Sequence, residues 1–124
     1  MGTLLHPTAG FIADVGGTAA PGPLPAAGRS LLADLARRVA EAAADPRHAA
    51  NRAAWIAHGN LASKRPMLLV FPEDSWIEII PAESLTLQDP FWRQWEWYLR
   101  MLLWRSGNLV DVFVIDHVEP PTGD

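Results

Sequence analysis

The chain has 124 residues, a formal charge of −4, a hydrophobic fraction of 49% and no cysteine. That suffices for one modest core and is too apolar for a disordered polypeptide. The acidic balance, with scattered lysine and arginine, excludes the basic face of a nucleic-acid binder and the basic cluster of an anionic-membrane binder, and the lack of cysteine excludes disulfides, thiolate metal sites and cysteine nucleophiles.

The N-terminus has no basic region followed by an apolar core, and no apolar run approaches the ~20 residues that span a bilayer. The expectation is a soluble cytoplasmic chain. Residues 1–28 are rich in Gly, Ala and Pro, which oppose regular helix and offer little apolar surface, so this tract reads as a flexible tail. Gly16-Gly17-Thr18 has neither the lysine nor the preceding strand of a phosphate loop.

Ser30 is positioned to cap a first helix with Leu31, Leu32, Leu35, Val39 and Ala42 on its apolar side and an Asp34–Arg38 pair on its wet side. Asp45-Pro46 starts a second helix, which runs through Ala49, Ala53, Trp55, Ile56 and His58 to about Asn60 or Ala62. Its alanines allow close approach of another helix. Arg65-Pro66 breaks the pattern, and Met67-Leu68-Leu69-Val70-Phe71, closed by Pro72, predicts a short strand covered on both faces. The period over Trp76–Ile80 fits either a second strand or a helical turn, and Pro81-Ala82-Glu83-Ser84 reads as a turn.

The strongest local signal is the run from Asp89 to Gly107: an N-cap, Pro90 at the first helical position, and a glycine suited to a left-handed end. Phe91, Trp95, Leu99 and Leu102 make one apolar stripe, and Trp97, Met101 and Trp104 a second on a different side. A surface helix buries one stripe. Two stripes call for two partners. A strand over about 110–116 follows, so the order α, α, β, (β), α, β predicts an α/β class over residues 29–124, with parallel pairing between the two main strands.

Chemistry-bearing residues are sparse. His6, His48, His58 and His117 show no metal-ligand spacing among themselves. His117 and Glu119 alternate at the end of the last strand, where α/β enzymes often carry function, and are weak functional candidates. Glu73, Asp74 and Glu78 lie near Trp76, whose burial with them would raise a carboxyl pKa. Ser75 and Ser84 lack the context of an activated nucleophile, and Arg93, Glu96 and Arg100 have the spacing of a salt-bridged stripe.

The linked motifs Trp55-Ile56-Ala57-His58-Gly59-Asn60-Leu61, Arg65-Pro66 through Ser75-Trp76, Leu85-Thr86-Leu87-Gln88-Asp89-Pro90, and Arg93…Glu96…Leu99-Arg100 resemble the N-terminal region of uroporphyrinogen-decarboxylase-like proteins. Their corrinoid-methyltransferase-like branch is the most similar. The resemblance covers roughly residues 30–120. It implies the helical extension and first strand and helix of a truncated (β/α)8 barrel (TIM barrel), a fold of about 250 residues. It also implies methyltransferase or decarboxylase activity in the full-length family, with corrinoid and zinc there. No catalytic residue carries over: the zinc ligands lie further along in the family, and its arginine-rich substrate motif is absent here.

The expectation is therefore an N-terminal fragment that is not catalytic alone. Its helix 90–106 would pack on missing barrel elements, a partner subunit or another copy. A competing expectation is a small self-associating domain with Trp92, Trp97, Met101 and Trp104 at the interface. A third is a small enzyme that uses His117 and Glu119.

Overall fold

A computed structural model of the protein describes residues 20–114. Its helices are α1 (Ala26–Ala43), α2 (Pro46–Gly59), the single turn α3 (Trp76–Ile79) and α4 (Pro90–Asn108), with short 3-10 turns at Glu73–Ser75 and Ala82–Ser84. The described residues contain no strand. This corrects the α/β expectation and the start of a TIM barrel: the described chain is helical.

The first helix starts four residues ahead of Ser30, which is exposed within it; Pro25 at φ −58° sets the boundary, and Ala26 and Ala27 propagate well. Part of the Gly/Ala/Pro tract is therefore tied down. Gly28 is buried, and a Cβ there would lie 2.9 Å from both Leu24 and Leu87 side chains, so bare backbone lets α1 sit close to residue 87. Gly22 passes so near Asp89 that a Cβ would fall 1.9 Å from its Oδ2, and the Gly22 carbonyl accepts from Trp92 Nε1 at 2.8 Å. On the wet side Arg37, not Arg38, makes the close pairs, to Asp34 at 2.7 Å and Glu41 at 2.5 Å. All are exposed, so their contribution is small.

The second helix begins as expected, with the Asp45 carboxylate accepting from Arg47 N at 2.9 Å and Pro46 at the first position. It ends on Leu61 at φ +58°, a conformation that glycine adopts freely and a leucine does not. Leu61 is 94% exposed, so its side chain contributes almost no packing. Leu61→Gly is accordingly expected to stabilise the chain by about 1 kcal/mol, read as a higher urea midpoint with an unchanged slope; a lower midpoint would show that the leucine makes a contact of its own.

The expected strand over 67–71 has no regular structure. A strand needs a ladder, and among the described residues this run has one polar tie to its neighbour: Leu68 N donates to an Asp111 carboxylate oxygen at 2.7 Å, a side chain standing where a backbone carbonyl would be needed. Pro66 and Pro72 at its ends lack donors as well. The described part of the expected 110–116 strand is a turn at Val110-Asp111 followed by irregular chain. Trp76–Ile79 resolves as a helical turn, as one of its two readings had it.

The long helix α4 organises the core. Asp89 Oδ1 accepts from Phe91 N and Trp92 N at 3.1 and 3.4 Å. Gly107 lies inside the helix and no glycine among the described residues takes a positive φ, because Leu109 leaves in an extended conformation and needs no left-handed residue before it. Leu35 and Val39 of α1, Trp76 of α3, then Ile80, Leu85 and Val114 surround Trp97, Leu99, Met101 and Leu102. Leu99 and Leu102 of the first stripe and Trp97 and Met101 of the second are thus buried within the chain, with Phe91, Trp95 and Trp104 half-buried. α1 packs on one side, while α3 and the 80–87 loop take the other.

Two buried charges on α4 hold that loop. Glu96, fully buried, accepts from Thr86 N at 2.9 and 3.1 Å, from Leu87 N at 2.9 Å and from Arg100 Nε at 2.9 Å. Arg93 donates to the carbonyls of Ala82, Leu85 and Leu87 at 2.7, 3.5 and 2.9 Å. The expected salt-bridged stripe is realised only between Glu96 and Arg100. Its third member, Arg93, grips backbone.

Candidate functional site

Four side chains of α2 recur at helical spacing and reach the same piece of chain. Arg47 donates to the Ser106 carbonyl and, at 3.3 Å, to its hydroxyl. His48 lies with Nε2 at 2.9 Å from Ser106 Oγ and Nδ1 at 3.2 Å from the Val112 carbonyl. Asn51 Nδ2 donates to the Val110 and Val112 carbonyls at 2.9 and 2.6 Å, and Trp55 Nε1 to the Asp111 carbonyl at 2.5 Å. Positions 47, 48, 51 and 55 share one helix face, so α2 reads the backbone of residues 106–112 as a row of acceptors. Its alanines do not seat another helix; His48 is its one buried residue.

A serine beside a histidine invites a nucleophilic reading. Ser106 and His48 are 7% and 2% exposed, however, and the other ring nitrogen meets a carbonyl rather than a carboxylate. A carbonyl only accepts, so Nδ1 carries the hydrogen and Nε2 accepts from the hydroxyl in that tautomer. The pair is a pin between α2 and the end of α4.

Asp111 is the second hub, its side chain 2% exposed. Arg65 clamps both carboxylate oxygens, at 3.1 and 2.7 Å, and Leu68 N adds a third bond. The hydrogen bonds from Arg65 and then from the Leu68 amide hold the carboxyl below its ordinary value of 3.8, and burial opposes them only in part. Since the folded value is the lower one, the contribution is complete above that ordinary value and is lost as the pH falls through the folded value. Asp111→Asn is therefore expected to unfold at lower urea than the parent at pH 7, with the gap narrowing by pH 3; a gap independent of pH would remove the charge from the explanation.

Between these hubs opens a groove of about 370 Å3. It is lined by Trp55, by Leu68, Leu69 and Val70, by Tyr98, Met101, Leu102 and Arg105 of α4, and by Leu109, Asp111, Val112 and Phe113. Leu68, Leu69 and Phe113 on its rim are 62%, 57% and 40% exposed, and Phe71 and Val110 extend the apolar patch beyond it. Among the described residues Arg105 has a buried Nε with no partner and forms no ion pair.

The four interface candidates are placed differently. Trp97 and Met101 are buried in the core, 3% and 6% exposed. Trp104 is half-buried, edge-on to Trp76 at 5.4 Å, and Trp92 is half-buried through its bond to Gly22. A surface on this helix would thus have to be built from other side chains than Trp97 and Met101.

His117 and Glu119 lie outside the described residues. Glu73, Asp74 and Glu78 are exposed while Trp76 is buried, so these carboxylates do not share its burial. His58 is exposed with its ring edge-on to Trp55 at 5.7 Å. Ser75 and Ser84 are exposed, and the Ser84 hydroxyl donates to Pro81 O at 2.6 Å.

The zinc of the resembled family asks for three or more converging His, Cys, Asp or Glu side chains. Among the described residues no such group occurs, and both ring nitrogens of His48 already face protein atoms. The described residues do not fit that metal. No helix among them is long and apolar enough to cross a membrane.

The α2 face, the Arg65–Asp111 hub and the groove were not singled out from sequence. The 3–4 spacing of His48, Asn51 and Trp55 was the available signal. Comparison with protein-family models, curated proteins and solved structures finds no match to this chain.

Proposed function

We propose that the chain is the helical N-terminal region of a uroporphyrinogen-decarboxylase-like protein, a packing module that is not catalytic alone. The observation that carries this reading is the apolar patch at Leu68, Leu69, Phe71, Val110 and Phe113, large side chains left exposed by a chain that buries Trp97, Leu99, Met101 and Leu102 of α4. Contiguous patches of this kind mark surfaces that another protein surface covers. The partner is the remainder of such a protein or a separately encoded subunit.

The motifs behind the resemblance also have work to do in this fold. Trp55 and Arg65 hold Asp111, Glu96 and Arg93 hold residues 82–87, and Asp89 caps α4. They act together on one helical unit, which supports reading them as one linked pattern.

The test is the size of the protein in its own cells, followed with an antibody raised against residues 30–60. A species well above 13.6 kDa on native sizing, with a longer chain or a second polypeptide on denaturing gels, is expected. A free 13.6 kDa monomer, or an assembly of that chain alone, would overturn the proposal.

A further inference from the structure

The groove between α2, the 68–70 run and α4 pairs apolar walls with one cation that no carboxylate among the described residues compensates. Of its two charged residues, Asp111 is already satisfied by Arg65 and Leu68 N. Arg105 is not: its Nε is buried without an acceptor, and no carboxylate among the described residues pairs with it. The Nε of this half-buried guanidinium, which shares the groove lining with Tyr98, Met101, Leu102 and Leu109, lacks the hydrogen bond that water would give it, and a carboxylate is the partner that matches the guanidinium fork. The walls offer no second cation and little to hold a polar body.

From this charge complementarity we propose that the groove is a binding site for a small amphipathic carboxylate, an aliphatic or aryl acid. Its apolar body lies along Trp55, Leu68, Leu69 and Phe113, and its carboxylate meets Arg105. The cavity of about 370 Å3 falls in the range of small-ligand sites. Such an acid would share Leu68, Leu69 and Phe113 with the packing surface proposed above and leave Phe71 and Val110 outside the groove; its binding is read on the isolated chain, so it fails or holds separately from the packing role.

Titration calorimetry on the full chain tests it, with sodium octanoate and octan-1-ol as probes of equal apolar length. Octanoate is expected to bind within about 10 mM, a weak affinity suited to so small a ligand, and about tenfold more tightly than octan-1-ol. Arg105→Gln is expected to erase that ratio while octan-1-ol still binds. Leu69→Asp, at an exposed wall position where folding is not at stake, is expected to abolish binding of both. Equal affinity for acid and alcohol, no octanoate binding in that range, or an unchanged ratio in Arg105→Gln would each overturn the proposal. If Arg105→Gln does not fold, Leu69→Asp decides alone, and undiminished octanoate binding by it would place the ligand elsewhere.

Discussion

Glu96→Ala is expected to destabilise the chain by about 3–5 kcal/mol, the usual consequence of removing one partner from a buried charged network. The Glu96 side chain is fully buried and, among the described residues, is the acceptor for the amides of Thr86 and Leu87 as well as the partner of Arg100. Alanine would leave the buried Leu87 amide with nothing to accept from it and remove the acceptor of the Thr86 amide and of Arg100, which lie nearer the surface. Arg93 would still hold the carbonyls of the same loop, so the loop would be gripped by half its bonds. Glu96→Gln keeps the shape and one acceptor oxygen but turns an amide NH2 toward other donors, and is expected to fall between parent and alanine. Urea unfolding of the three chains checks the order; a Glu96→Ala loss below about 1 kcal/mol would mean that water replaces the carboxylate.

What could be read in the sequence follows from how local each cause is. Asp45-Pro46 and Asp89-Pro90 act within a few residues of themselves, so both helix starts were legible and both are as expected. Ser30 carried the right chemistry for a cap but lost to Pro25, since two alanines between them extend the helix at little cost. The two strands failed for the opposite reason. Their pattern in Met67–Phe71 and Val110–Ile115 stated that the residues are apolar, whereas a strand is made by a partner, and the described chain meets the first run with the Asp111 side chain. Glu96 and Arg93 show the same limit. Spacing placed them on a charged stripe, but only the fold could reveal that residues 82–87 bury that stripe and take its hydrogen bonds. The groove is still less local: Trp55, Leu69, Tyr98 and Phe113 meet there from four separate stretches of chain.

The tryptophans of α4 pose the question of cover most sharply, and Trp76 answers it. Its ring lies edge-on to Trp97 at 5.8 Å and 84° and to Trp104 at 5.4 Å and 76°. A helical turn of four residues thereby supplies the second partner that the second stripe requires. Trp76→Ala is expected to cost about 3–5 kcal/mol, from lost apolar burial plus the cavity left between α3 and α4, with a further part from the two edge-to-face contacts. The loss should be read together with tryptophan emission and sedimentation. If the turn around Trp76 is what covers Trp97 and Trp104, the variant that remains folded will show red-shifted emission and a concentration-dependent mass, because the stripe becomes available to other copies. Trp92→Ala, whose ring reaches Gly22 instead, will show neither change in mass nor a comparable loss. A Trp76→Ala chain that is as stable as the parent, or a parent chain that already associates through Trp104, would place the cover of this helix outside the single chain.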